Sequence, residues 1–285
     1  MDEFTTLNQE LDALQNPPDQ KDTKWIKEFY ELYCSKNPEN RDKAKQLLKE
    51  NYPETICRYI PPRFIKDFID GSKLTFIHPC KFEENDSRWF QFEQNKEYPD
   101  KINEIINVLE KDYKDDNGLL RNIHKICSLT TNPLDPYMWK NYAKEYSGIC
   151  IEFCKNRPDL KSYETLTNFH EGHVTLLPVL YTKERPNLSN LLISLEKSEP
   201  GNYLYYKLDQ LLVNLKNDDF RYEREWRATC YMCVTNKEPE KLSIATIPTN
   251  IYLGYQISKE CKDEVLAYAK EKNITVYIVI KADNG

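Results

Sequence analysis

The chain reads as an α+β protein: a curved, largely antiparallel sheet with helical insertions and an N-terminal helical appendage. Three observations lead to that class. Short runs rich in β-branched and aromatic residues recur along the chain, as in TICRYI at 55–60, ICIEF at 149–153 and ITVYIVIK at 274–281. Between them lie stretches with apolar residues at helical spacing, such as Ile102, Ile105, Ile106 and Leu109. The two kinds of segment do not alternate strictly, which argues against a doubly wound parallel sheet.

Taken in order, residues 1–15 place Phe4, Leu7, Leu11 and Leu14 at helical spacing, and NPPDQKD at 16–22 breaks that helix. A second helix runs from Thr23 with a stripe of Trp25, Ile26, Phe29, Leu32 and Tyr33. NPEN at 37–40 ends it, and a third helix carries Ala44, Leu47 and Leu48. Residues 1–53 form the appendage and residues 54–285 the α+β domain. TICRYI is the first strand. Pro61 and Pro62 then open a helix with Phe64, Ile65, Phe68 and Ile69 along one face and Gly71 as its stop. LTFIHP at 74–79 is the second strand, and the helix of Ile102 to Leu109 follows a polar and aromatic stretch.

NIHKICSLTT at 122–131 reads as a strand with Ser128 and Thr130 on one face near its end. Asp135 is the N-cap of a helix over DPYMWKNYAKEY, which brings Met138, Trp139, Tyr142 and Tyr146 together and stops at Gly148. ICIEF and HVTLLPVLYT (173–182) are strands. A helical stretch starts near Leu188 and resumes through YLYYKLDQLLVNLK at 203–216. Two short strands near 242–246 and 250–254, a helix from Ser258, and ITVYIVIK complete the domain.

Composition narrows the classes. The chain has 285 residues, of which 20 are tyrosine and 11 phenylalanine, so a sizeable core can be built from large rings. Only 7 glycines argue against a glycine-rich phosphate loop. A net charge of -6 makes nucleic acid and anionic membranes poor default partners. No apolar run approaches the roughly 18 residues of a membrane span, and the acidic N-terminus is unlike a secretory signal. Nine cysteines, an odd number, read as reduced thiols in a cytoplasmic protein. Cys230 and Cys233 form a C-x-x-C, yet on a strand an odd offset sends the sulfurs to opposite faces. His170 and His173 lack a second ligand pair, so no metal site is expected.

The stretch FRYEREWRATCYMCV at 220–234 organises the rest. As a strand it places Phe220, Tyr222, Arg224, Trp226, Ala228, Cys230, Met232 and Val234 on one side. Arg221, Glu223, Glu225, Arg227, Thr229 and Tyr231 fall on the other. Glu223 and Glu225 would then lie roughly 6.5–7 Å apart on one face. Flanking arginines would keep them ionised. The alternative is a solvated outer face whose charges neutralise one another.

Several segments, in order, resemble a bacterial family known as domain of unknown function 2971. They are CSLTTNPLDPYMWKNYAKEYSGICIEF, LPVLYTKERP, FRYEREWRA and NIYLGYQIS, with RYIPPRF and LTFIHPCKF ahead of them. KFEENDS departs from that family's FNDP tetrapeptide. The resemblance spans about residues 55–281. The family's layout is in turn similar to that of mono-ADP-ribosyltransferases: an Arg or His on a first strand, a hydroxyl on a middle strand, and Glu-x-Glu on a late one. Arg58, Ser128 with Thr130, and Glu223 with Glu225 stand in that order.

That likeness implies an enzyme that cleaves NAD, taken as co-substrate, and passes ADP-ribose to a protein or nucleic-acid acceptor. Glu225 would stabilise the oxocarbenium-like state, and Glu223 would position or deprotonate the nucleophile. Arg58 would grip a phosphate or ribose, and Tyr59, Trp139 or Tyr142 would stack on the nicotinamide. Two other classes compete. A metal-dependent hydrolase or nuclease would use the paired glutamates, with Asp86. A non-catalytic interaction module would keep Glu223 and Glu225 engaged by local arginines, with no cleft above them.

Overall fold

The computed structural model describes residues 24–35, 37–77, 89–114, 124–155, 174–196, 208, 210–231 and 241–280. The expected helix at 1–15, Asp86, His170, His173 and Cys233 lie outside the described residues. The fold is α+β, with a mostly antiparallel sheet of nine strands among the described residues. No helix among these residues is long and apolar enough to cross a membrane.

Two helices come first, α1 (Lys24–Tyr33) and α2 (Pro38–Glu50). The NPEN segment begins α2 and does not end α1: the Asn37 side chain accepts from the Glu39 N–H at 2.9 Å, and Pro38 sits where its missing N–H costs nothing. Strand β1 (Thr55–Ile60) leads through a short 3-10 turn (Pro62–Phe64) into α3 (Ile65–Gly71) and β2 (Lys73–Ile77). Gly71 is the last helical residue of α3. The helix stops there as expected, and Ser72, at φ 43°, makes the left-handed turn that follows. Helix α4 (Asp100–Lys114) precedes β3 (His124–Thr130).

Helix α5 (Pro136–Asn141) is capped by Asp135, whose carboxylate accepts from the Tyr137 and Met138 N–H groups. It is half the expected length, because Lys144, Glu145 and Tyr146 all adopt positive φ and unwind the chain. That turn packs hard against two strand ends. A side chain on Gly148 would collide with the Ile60 carbonyl, and one on Gly254 with the Tyr146 carbonyl. Next come β4 (Ile149–Cys154), β5 (Val174–Pro178), β6 (Leu180–Thr182) and α6 (Ser189–Glu196). Residues 215–217, expected at the end of a helix, form β7 (Leu215–Asn217), paired in parallel with β6 as a separate ribbon. After a 3-10 helix (Asp218–Glu223) come β8 (Glu225–Tyr231), β9 (Lys241–Ala245), β10 (Asn250–Leu253), α7 (Lys259–Lys272) and β11 (Thr275–Ile278).

The sheet runs β11-β10-β4-β1-β3-β2-β9, and β3 also pairs along its whole length with β8, which continues to β5. Within it only β10 and β11 are parallel. One edge of β3 is shared: β1 meets it only at Cys57↔Thr130 and β2 only at Ile77↔Ile126. The sheet therefore forks between β1 and β2.

Alternation decides which side carries the core. Ile56, Ile60, Cys127, Leu129, Ile149, Ile151, Trp226, Ala228, Ile251 and Leu253 face a single large apolar cluster with α1 to α4, α6 and α7. The first two helices share this core: the Trp25 ring lies 6.0 Å from that of Trp226, and the Tyr30 hydroxyl donates to the Pro178 carbonyl at 2.8 Å. Cys57, Tyr59, Cys150 and Tyr252 point the other way, into a small cluster closed by Met138 and Trp139 of α5. The candidate site lies on that second side.

Candidate active site

Of the strand predicted at 220–234, Glu225–Tyr231 form β8, and residues 232–234 lie outside the described residues. Residues 218–223 coil into the 3-10 helix, and Arg224 takes a left-handed conformation at φ 46°, so Glu223 and Glu225 are not same-face neighbours on one strand. A left-handed non-glycine residue costs about 1–2 kcal/mol and persists only where its surroundings hold it. Here both flanks are held. The Thr130 hydroxyl donates to the Glu223 carbonyl at 2.7 Å, and the Glu225 N–H donates to the Tyr181 hydroxyl at 2.9 Å.

The kink turns Glu223 back so that both carboxylates meet one cation. Lys216 Nζ donates to Glu223 Oε2 at 2.6 Å and to Glu225 Oε2 at 3.0 Å. Arg227, two residues along β8, donates from Nε to Glu225 Oε1 at 2.8 Å and from Nη2 to Glu225 Oε2 at 3.1 Å. Its Nη1 donates to the Val213 carbonyl at 2.5 Å, which ties β8 to the segment before β7. The Ser128 side chain adds to the groups that favour the ionised Glu225 carboxylate. All four charged side chains are buried, and Arg227 is fully enclosed. The face expected to be either a site or solvated surface is therefore a covered ion-pair network.

The two acids are driven in opposite directions. Burial favours the neutral acid for both. At Glu225 that effect is outweighed by Arg227 and Lys216, by the Arg227 hydrogen bonds and by the Ser128 side chain, which hold the carboxyl far below the usual range. At Glu223 burial prevails. Lys216 offsets it in part, the Glu225 charge adds to it, and the carboxyl is raised above its ordinary value. Glu223 Oε1 accepts from the Tyr142 hydroxyl at 2.7 Å. Burial first, and then the Glu223 charge, push the Tyr142 phenol up, so it remains a donor.

These groups line a cleft of about 150 Å³ together with Cys57, Arg58, Tyr59, Ser128, Thr130 and Met138. Seven of the eight residues singled out from sequence thus come to one place: Arg58, Tyr59, Ser128, Thr130, Tyr142, Glu223 and Glu225. Trp139 does not. It is wholly buried in the small cluster, donates from its indole N–H to the Pro133 carbonyl at 2.9 Å and stacks on Tyr146, so it offers no face to a ligand. Tyr59 lines the cleft, but its hydroxyl is spent on the loop before α5, donating to the Asn132 carbonyl at 2.8 Å and accepting from the Asp135 N–H.

Arg58 sits at the fork of the sheet. Its Nη1 donates to the Ser128 carbonyl at 2.6 Å and to Cys127 Sγ at 3.3 Å, just beyond the point where β1 diverges from β3. A second hollow of about 380 Å³ opens on the far side of Arg58 and Tyr59, walled by Phe64, Asp67, Lys73 and Ser243. Sequence reasoning missed Lys216, the residue that joins the two acids, because it falls at the end of a stretch with helical periodicity. The one available signal was its place just before Asn217-Asp218-Asp219, where Asn217 caps a new helix and must end whatever precedes it.

Residues 138–228 match the model of one protein family. That family is DUF2971, a protein of unknown function. The DUF2971 match runs from α5 into the middle of β8. It holds Tyr142, Lys216, Glu223, Glu225 and Arg227 and leaves Arg58, Tyr59, Ser128 and Thr130 outside. It is narrower than the resemblance drawn from motifs over residues 55–281. No curated protein and no solved structure matches the chain.

Proposed function

We propose that the cleft is the active site of an enzyme that breaks the nicotinamide–ribose bond of NAD and passes the ADP-ribosyl group to an acceptor hydroxyl or to water. One observation carries the reading: two buried carboxylates line one cleft with their proton affinities moved in opposite directions. Such a split assigns one acid as a fixed charge and the other as a proton carrier. The likeness to mono-ADP-ribosyltransferases rests on residue order alone, and a layout does not prove a reaction.

In this scheme the C1′–N bond breaks heterolytically and nicotinamide leaves with the bonding pair. The positive charge that develops on the ribose is met by the Glu223–Lys216–Glu225 network. Glu225 is clasped by Lys216 and by both Nε and Nη2 of Arg227, so its charge acts through space. Each Glu223 oxygen accepts a single bond, from Tyr142 or Lys216, and keeps a lone pair for the sugar; Glu223 then takes the proton of the acceptor O–H as the new C1′–O bond forms. The cleft is small and fits the reacting end of the dinucleotide. The neighbouring hollow, reached past Arg58, gives room for the remainder.

A second reading keeps part of its support. Arg227 holds Glu225, as an interaction module would have it, whereas Glu223 is held by Lys216 and the two acids line a cleft that such a module would lack. The metal-hydrolase alternative fares worse, because the Lys216 ammonium occupies the point between the carboxylates where a cation would bind. Purified full chain incubated with NAD, with and without lysate as acceptor, tests the proposal by release of free nicotinamide. Turnover is expected, with Glu223→Gln lowering it by about 100-fold or more while the thermal melt stays cooperative. No nicotinamide from the unaltered chain under either condition overturns the proposal and leaves the interaction module.

A further inference from the structure

Among the described residues a groove of about 900 Å³, larger than the carboxylate cleft, lies between α1 and the β6–β7 ribbon, with α6 along one flank. Its floor is apolar, formed by Ile26, Tyr30, Leu180, Leu188, Leu191 and Leu215. A volume of that size lies at the upper end of the roughly 300–1,000 Å³ typical of small-molecule sites, which are concave, mostly apolar and marked by a few polar groups.

The charges on the groove wall choose among occupants. Lys24, Lys27, Lys183 and Arg221 line it against Glu31 and Asp218. Lys27 is paired with Glu31 at 3.9 Å and Arg221 with Asp218 at 3.5 Å. That leaves Lys24 and Lys183, both exposed, with no ion pair among the described residues. We infer that the groove binds a long-chain fatty acid, the acyl chain lying on the leucine floor and the carboxylate meeting Lys24 and Lys183. A free acid fits better than a bilayer lipid, because a chain of net charge -6 is repelled by an anionic membrane surface.

The groove has a structural route to the carboxylate cleft. Tyr181 lines the groove and its hydroxyl accepts the Glu225 N–H, while its partner across the ribbon is Lys216. The groove assignment nevertheless stands without the NAD reading and is tested apart from it.

The experiment titrates the full chain with cis-parinaric acid, a fluorescent fatty acid, and competes it with oleic acid and with neutral oleyl alcohol. Saturable one-to-one binding is expected. Charge reversal by Lys24→Glu with Lys183→Glu weakens the acid by about tenfold and leaves competition by the alcohol unchanged. Leu191→Arg, which places a charge on the floor, abolishes both. If Leu191→Arg loses its cooperative melt, Leu191→Trp replaces it as the blocking variant. Three results overturn the proposal: no saturable fluorescence, binding indifferent to the rim and floor substitutions, or oleyl alcohol matching oleate with no effect of charge reversal. A dimer in sedimentation that Leu191→Arg dissociates also overturns it, by giving the groove to a second copy of the chain.

Discussion

Glu152 and Glu225 stand in one row across five strands, Asn250–Glu152–Cys57–Thr130–Glu225, on the same side of the sheet. Each is 5% exposed. Their partners differ in kind. Glu152 accepts from Asn250 Nδ2 at 2.6 Å and from the Tyr252 hydroxyl at 3.0 Å, both neutral donors. Glu225 is clasped by Lys216 and Arg227. Burial to the same depth therefore produces a hydrogen-bonded structural acid at one end of the row and a charge network at the other. The charged end opens on a cleft that also holds a second, more weakly held acid.

The sharpest way to break this contrast is to remove the shared cation. Lys216→Met leaves two carboxylates buried against each other and is expected to cost about 3–5 kcal/mol in urea denaturation. The deficit should shrink as acid protonates them. Glu152→Gln keeps an acceptor for Asn250 and Tyr252 and should cost only about 1 kcal/mol. Equal losses from the two variants would erase the distinction.

The pH dependence separates the two acids of the cleft. Glu225 is depressed in the fold, so its contribution to stability is present above the ordinary carboxylate value and is lost as pH falls toward its folded value. Glu223 is raised. Its contribution is full below the ordinary value and is lost as pH rises through its folded value. Melts of Glu225→Gln across the acid range should therefore lack the acid-side loss seen in the unaltered chain. Glu223→Gln should lack the decline that begins as pH climbs past the ordinary carboxylate value. Matching slopes in both variants would mean that the two acids are not driven apart.

Smaller effects probe the kink that brings them together. Thr130→Val removes the 2.7 Å bond to the Glu223 carbonyl and should cost about 1–2 kcal/mol, since that buried carbonyl loses its hydroxyl donor. Tyr142→Phe should change stability least, by a few tenths of a kcal/mol, because the ring is 41% exposed. It also deletes a hydrogen bond that lowers the Glu223 carboxyl, so Glu223 should titrate still higher in carbon-detected NMR. A downward move would show that Tyr142 does not donate to it.

Much of the architecture was legible. Short apolar runs located β1, β3 and β4, alternation located the core face of β8, and helical spacing located α1, α2 and α4; α7 follows Ser258 as expected. A local signal with a defined mechanism also held at Asp135, whose side chain caps the helix it precedes. What failed did so where local pattern met a tertiary contact. The residues 220–224 alternate as a strand should, yet Thr130 and Tyr181 pin the backbone on either side of Arg224 and coil it. The segment 203–216 has helical periodicity, yet its last residues pair with β6. Trp139 has the chemistry of a stacking ring and is spent on the core.

Sequence by itself determined the class of fold, the order of most elements and a short list of polar residues, because alternation, helical spacing and capping are read within a few residues of chain. Tertiary structure alone decided that Glu223 and Glu225 share Lys216, that Arg58 closes a fork in the sheet, and that the charged face of β8 is covered. Those outcomes depend on groups brought together across the sheet, where loss of water and the nearest opposite charge set what a side chain can do, and neither can be read along the chain.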